Sequence, residues 1–87
     1  MDDRRKRLLY IASHRGTKEA DIFIGAFARA RLADFTDAEV AEFEVIAELP
    51  CSDLMDWIMG KTELPAEHDG PVMRQLLAFD LPDVTDR

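Results

Sequence analysis

The stretch Ala20-Asp21-Ile22-Phe23-Ile24-Gly25-Ala26-Phe27-Ala28 decides the fold class. Ala20, Phe23, Ile24, Phe27 and Ala28 recur at i, i+3, i+4, i+7 and i+8, which lays one apolar stripe along an α-helix. Ile22 and Ala26 widen that stripe. Gly25 falls inside it, where glycine costs about 1 kcal/mol relative to alanine. The spacing therefore predicts that another helix backbone passes close to Gly25.

The same period continues on both sides. On the N-terminal side a first helix is expected over residues 3–13, with Leu8, Leu9, Ile11 and Ala12 as its apolar side. Asp2 and Asp3 sit at its positive dipole end, where carboxylates are favourable. Gly16 marks the turn into the second helix, expected over residues 17–33. Thr36-Asp37-Ala38-Glu39 has the spacing of a capping box and opens a third helix. Val40, Phe43, Ile46 and Ala47 form its inner side, Glu42, Glu44 and Glu48 lie mostly outward, and Pro50 stops it. A fourth, short helix is expected to be capped by Ser52 or Asp53, to bury Leu54, Trp57 and Ile58, and to end at Gly60. Residues 61–70 form a polar connection containing Pro65. Pro71 suits the first turn of a fifth helix carrying Val72, Met73, Leu76, Leu77 and Phe79. Residues 1–3 and 82–87 are expected to fray.

Eighty-seven residues accommodate one core, so the expectation is an all-α, compact five-helix bundle forming a single domain over residues 1–87. A content of 47% apolar residues argues against disorder. No apolar run approaches the roughly 20 residues that span a bilayer, and Leu8 to Ser13 is too short for a signal-peptide core. The expectations are a cytoplasmic protein with no membrane insertion, acting as a monomer.

The net charge of −7 is divided unevenly: residues 1–31 carry +4 and residues 32–87 carry −11. An acidic surface repels phosphate, which disfavours nucleic acid as a partner. The basic end suits an acidic protein partner. Cys51 is alone, so it forms no internal disulfide and holds no metal by itself. His14 and His68 have no ligand-spaced companions. Ser13 or Ser52 could be drawn into a Ser-His-Asp set, but no nucleophile elbow supports either. Gly16-Thr17-Lys18 lacks the spacing and the preceding strand of a phosphate loop. No catalytic set emerges, and the chain is not expected to be an enzyme.

One polar cluster admits two readings, of which the structural one is favoured by physics alone. His14-Arg15-Gly16-Thr17-Lys18-Glu19 places a guanidinium, a glycine break and a carboxylate at a helix junction. Arg15 and Glu19 could form an exposed i, i+4 ion pair contributing a few tenths of a kcal/mol, roughly 0.2–0.5. Alternatively the corner docks a partner: Arg15 offers a five-donor fork, and Gly16 permits close approach of another backbone.

The run Ser13 to Asp21, followed by Ile24-Gly25-Ala26-Phe27, resembles the signature of the succinate dehydrogenase assembly factor family, the SdhE-like group marked by Arg-Gly-x-x-Glu. Phe43-Glu44 and the block Asp53 to Gly60 resemble its later segments, so the likeness covers residues 4–80. The resemblance implies a five-helix bundle that binds the flavoprotein subunit of succinate dehydrogenase, with fumarate reductase as a second candidate. It implies a chaperone that promotes covalent FAD attachment to that subunit. With no dinucleotide fingerprint and no ligand-spaced set in the sequence, no stably bound cofactor or metal of its own is expected. Carried over by position, Arg15, Gly16 and Glu19 are the partner-contacting motif, with His14 and Asp21 beside them. His14, Thr17 and Ala26 depart from the residues commoner in the family. On this reading Arg15→Ala and Gly16→Arg leave the bundle folded and abolish flavin attachment. The alternative is an antitoxin-like or other regulatory interaction module.

Overall fold

The computed structural model describes residues 2–79. Among them lie five α-helices: α1 (Asp3–Ser13), α2 (Lys18–Arg31), α3 (Asp37–Ala47), α4 (Cys51–Ile58) and α5 (Pro71–Ala78). Two single 3-10 turns, Leu32–Asp34 and Ala66–His68, lie in the connections. The five-helix all-α reading holds. The tail expected to fray from Pro82 onward lies outside the described residues.

The α2 stripe becomes the centre of the core. Ala20, Ile24, Phe27 and Ala28 are completely buried. The Phe27 ring meets Phe79, Phe43 and Phe35 at centroid distances of 5.4, 5.7 and 6.1 Å. Such tilted and edge-on pairs suit the ring quadrupole. Leu8 and Ala12 of α1, Val40, Phe43 and Ile46 of α3, Leu54 of α4 and Val72, Met73 and Leu76 of α5 close around this cluster. Trp57 and Ile58 reach it only half-buried.

Helices α1 and α2 run in opposite directions. Ser13 meets Gly25 at one end, and Arg5 reaches the Leu32 carbonyl at the other. Gly25 therefore has the close neighbour its position demanded. The fraying expected of residues 1–3 does not extend to Asp2 and Asp3. Asp2 is the N-cap of α1, its carboxylate accepting the Arg5 amide at 2.9 Å, and Asp3 is the first helical residue.

Three helix ends differ from expectation for local reasons. α2 stops at Arg31 and tightens into a 3-10 turn, where the Arg5 guanidinium donates to the carbonyls of Leu32 and Phe35. Thr17 is the N-cap of α2 and lies outside the helix, its hydroxyl accepting from the Ala20 amide at 3.3 Å. Neither Ser52 nor Asp53 caps α4. The helix opens one residue after Pro50, whose carbonyl accepts the Leu54 amide at 3.1 Å. Its other end follows the glycine rule: Gly60 takes φ +76°, and Lys61 and Gly60 donate to the carbonyls of Asp56 and Trp57.

Glu42 overturns the outward reading of the α3 carboxylates. It is half-buried, and its Oε2 accepts the amides of Val72 and Met73 at 3.1 and 3.0 Å. A carboxylate from α3 thus caps the start of α5, which has no side-chain cap of its own. Gly70 makes room for it, since a Cβ there would lie 2.6 Å from Glu42 Oε2. The Thr36–Glu39 capping box forms as the sequence predicts.

Candidate functional site

The polar corner is built on the four residues between α1 and α2 and extends into the first turn of α2. α1 ends at His14, whose amide donates to the Ile11 carbonyl at 3.2 Å. The chain reverses through Gly16 at φ +110°, a backbone conformation closed to most L-residues. It re-enters helix after the Thr17 cap.

Arg15 does not pair with Glu19. Its half-buried side chain crosses to the junction between α3 and α4. There Nη1 donates to the Ala47 carbonyl, Nη2 to the Leu49 carbonyl, and Nε to Cys51 Sγ at 3.3 Å. The physical demand comes from the end of α3. The Val45 and Ile46 carbonyls are taken by the amides of Glu48 and Leu49, and Arg15 supplies a donor to Ala47, the last residue of the helix. Cys51 returns a weak bond, its thiol donating to the Arg15 carbonyl at 3.5 Å.

Asp21 ties the loop from its other side. Oδ1 accepts the amide of Arg15, and that of Gly16 at 3.2 Å. Two successive amides converging on one carboxylate oxygen form a small anion nest, here filled from within the chain.

The remaining predicted residues face outward. Gly16 and Glu19 are exposed, and a Cβ on Gly16 would meet no atom within 4 Å. His14 is exposed and stacks on Tyr10, with ring centroids 4.1 Å apart and planes inclined by 22°. Its Nδ1 lies 2.8 Å from the Tyr10 carbonyl oxygen. A carbonyl only accepts, so Nδ1 carries a proton. Tyr10 itself is 64% exposed.

Beside Glu19 lies a shallow concavity of about 290 Å³, lined by Thr17, Glu19, Cys51, Ser52, Met55 and Met59. Met59 is 58% exposed there. The sequence predicts the Asp53 to Gly60 block without linking it to the corner; the structure makes the two adjacent. The roles of Asp21 and Cys51 inside the corner escaped the sequence reading of contacts. One available signal was Pro50, which announces a helix end whose carbonyls need donors from elsewhere.

Among the described residues, no group of three or more His, Cys, Asp or Glu side chains is placed to hold a metal ion. No helix there is long and apolar enough to cross a membrane.

A family model described as the flavinator of succinate dehydrogenase matches residues 6–80. The FAD assembly factor SdhE of Acetobacter pasteurianus is 42% identical over 74 residues, covering 85% of this chain and 68% of that protein. The mitochondrial succinate dehydrogenase assembly factor 2 of Dictyostelium discoideum is 31% identical over 70 residues, covering 80% of this chain and 50% of that protein. Its counterpart in Scheffersomyces stipitis is 35% identical over 57 residues, covering 66% of this chain and 38% of that protein. The chain thus spans about half or less of the length of these mitochondrial relatives. No solved structure matches it at comparable significance. A bundle with the Arg15-Gly16-x-x-Glu19 corner, matched over residues 6–80, belongs to the family of succinate dehydrogenase flavinators.

Proposed function

We propose that this chain is an assembly factor that binds the flavoprotein subunit of succinate dehydrogenase and promotes covalent attachment of FAD to it. The observation that carries this reading is the corner itself. Gly16 and Glu19 are exposed on a turn with open space over the glycine, next to a methionine-lined concavity. This is the form of a docking surface. The factor acts as a chaperone and not as an enzyme.

FAD belongs to the partner and supplies the electrophilic ring that becomes bonded to a partner side chain. The chain contributes position. By binding one arrangement of the flavoprotein more tightly than others, it raises the population of that arrangement. Holding reacting groups in place removes part of the entropic barrier to bond formation. His14, Gly16 and Glu19 form the exposed face of the docking corner, and Arg15 and Asp21 are built into the loop behind it. We propose fumarate reductase as a second partner. The factor works as a cytoplasmic monomer without membrane insertion.

The test is a pull-down of native partners, combined with in-gel fluorescence of covalently bound flavin in cells with and without the gene. A captured dehydrogenase flavoprotein, with flavin fluorescence that falls on deletion, supports the proposal. Unchanged fluorescence on deletion refutes it.

A further inference from the structure

The exposed and inward-facing residues of the corner divide its work. We infer that Arg15 and Asp21 are positioning residues, which do not touch the flavoprotein but hold Gly16 and Glu19 in the geometry that does. This rests on the docking reading above and assigns roles within it.

Three groups of the Arg15 fork are committed inside the chain, to Ala47, Leu49 and Cys51. A guanidinium is planar, with its donors fixed in direction. Acceptors on Nε, Nη1 and Nη2 fix that plane against the α3–α4 junction. Turning the fork toward a partner would strip the end of α3 of its donor. Asp21 is committed likewise, since Oδ1 holds the successive amides of Arg15 and Gly16. Cys51 contacts both the side chain and the carbonyl of Arg15, so the first residue of α4 and the loop move together. Met55 and Met59 lie on and just beyond that helix. The clamp therefore keeps the methionine concavity in register with Glu19.

A loop held this way loses little freedom on docking, which is how preorganisation raises affinity. Loosening the clamp should raise the amount of factor needed and leave the attainable yield intact. Removing an exposed contact should raise the amount of factor needed and also lower the attainable yield.

The experiment titrates the isolated flavoprotein subunit with wild-type factor, Asp21→Asn, Asp21→Ala and Glu19→Ala, and reads covalent flavin yield. Asp21→Asn keeps a carbonyl oxygen for the two amides. Expected are a half-saturating concentration within about twofold of wild type for Asp21→Asn and about tenfold higher for Asp21→Ala, both reaching full yield. Glu19→Ala should stay below full yield at saturation. In parallel, the Arg15 side-chain Nε–H resonance of isotope-labelled wild-type factor is followed during binding. It should hold its position while the Gly16 amide shifts. A moving or vanishing Arg15 Nε–H signal beside a bound flavoprotein overturns the inference alone, as does an Asp21→Asn variant as defective as Asp21→Ala. A wild-type factor that leaves flavin attachment unchanged overturns the docking reading and this one with it. The resonance measurement needs no variant to fold.

Discussion

Gly25 faces Ser13 so closely that a Cβ on the glycine would lie 2.9 Å from the serine Oγ and 3.3 Å from its Cα. The two effects of Gly25→Ala oppose each other. Helix propensity favours alanine by about 1 kcal/mol, but overpacking a tight contact costs roughly 1–3 kcal/mol. The Cα of Ser13 belongs to the α1 backbone and cannot rotate away, so the clash prevails. Gly25→Ala should lower the urea midpoint, and adding Ser13→Ala should recover part of the loss because the Oγ contact disappears. Additive effects of the two substitutions would show that the contact does not limit packing.

Gly16 poses the opposite case, with open space but a forbidden backbone angle. At φ +110° any L-residue is strained, by about 1–3 kcal/mol. No atom lies within 4 Å of the new Cβ, so Gly16→Ala and Gly16→Arg should melt within a few degrees of one another. They should differ in flavin attachment. Alanine adds a methyl group to the docking surface, whereas arginine adds a long charged side chain, so Gly16→Arg should be the more severe. Equal loss of activity would trace the defect to backbone strain and away from partner approach.

Arg15→Ala should leave the bundle folded but less stable. It removes charged donors from Ala47 and Leu49, and such bonds are worth about 1.5–3 kcal/mol each when formed, with the outcome set by how well water replaces them. A urea midpoint below that of Glu19→Ala is the expected result. Glu19 is exposed and should cost little. Activity of Arg15→Ala is best read at a temperature where circular dichroism shows it folded.

Glu42→Ala should cost about 1–2 kcal/mol, the range of a lost helix cap. Its Oε2 holds the amides of Val72 and Met73, and Gly70 offers no side chain in its place. Glu42→Gln keeps an acceptor oxygen and should lie between. Hydrogen exchange should show faster opening of α5 in the alanine variant, with α2 amides little changed.

The residues that were legible in sequence are those whose role depends on near neighbours. The stripe from Ala20 to Ala28, the Thr36–Glu39 box and Gly60 follow from spacing of three or four residues. Gly25 was legible as an anomaly, since only a close neighbour repays a glycine in an apolar stripe. Arg15 and Glu42 were not, because their acceptors and donors lie about thirty positions away. A charged side chain has the same local signature whether it is solvated or capping a distant helix. The family motif located the corner, but nothing in it distinguished Arg15, turned inward, from Glu19, turned outward.

Acid should weaken the bundle through three carboxylates. The Arg5 amide and charge lower the pKa of Asp2. Hydrogen bonds from Arg4 and Arg74 lower those of Glu44 and Asp69. A lowered folded-state value means that the unfolded chain binds more protons, so stability rises with pH in this range. The contribution is complete above the ordinary values of 4.5 for Glu and 3.8 for Asp, and is lost as pH falls through the lower folded values. All three groups are solvated, so the effect should be small and should shrink at high salt. Urea midpoints measured between about pH 6 and pH 3 should fall less steeply in Arg74→Gln than in wild type, because Asp69 then loses its cationic partner. A slope unchanged by that substitution would mean that the Arg74–Asp69 pair adds nothing to acid sensitivity.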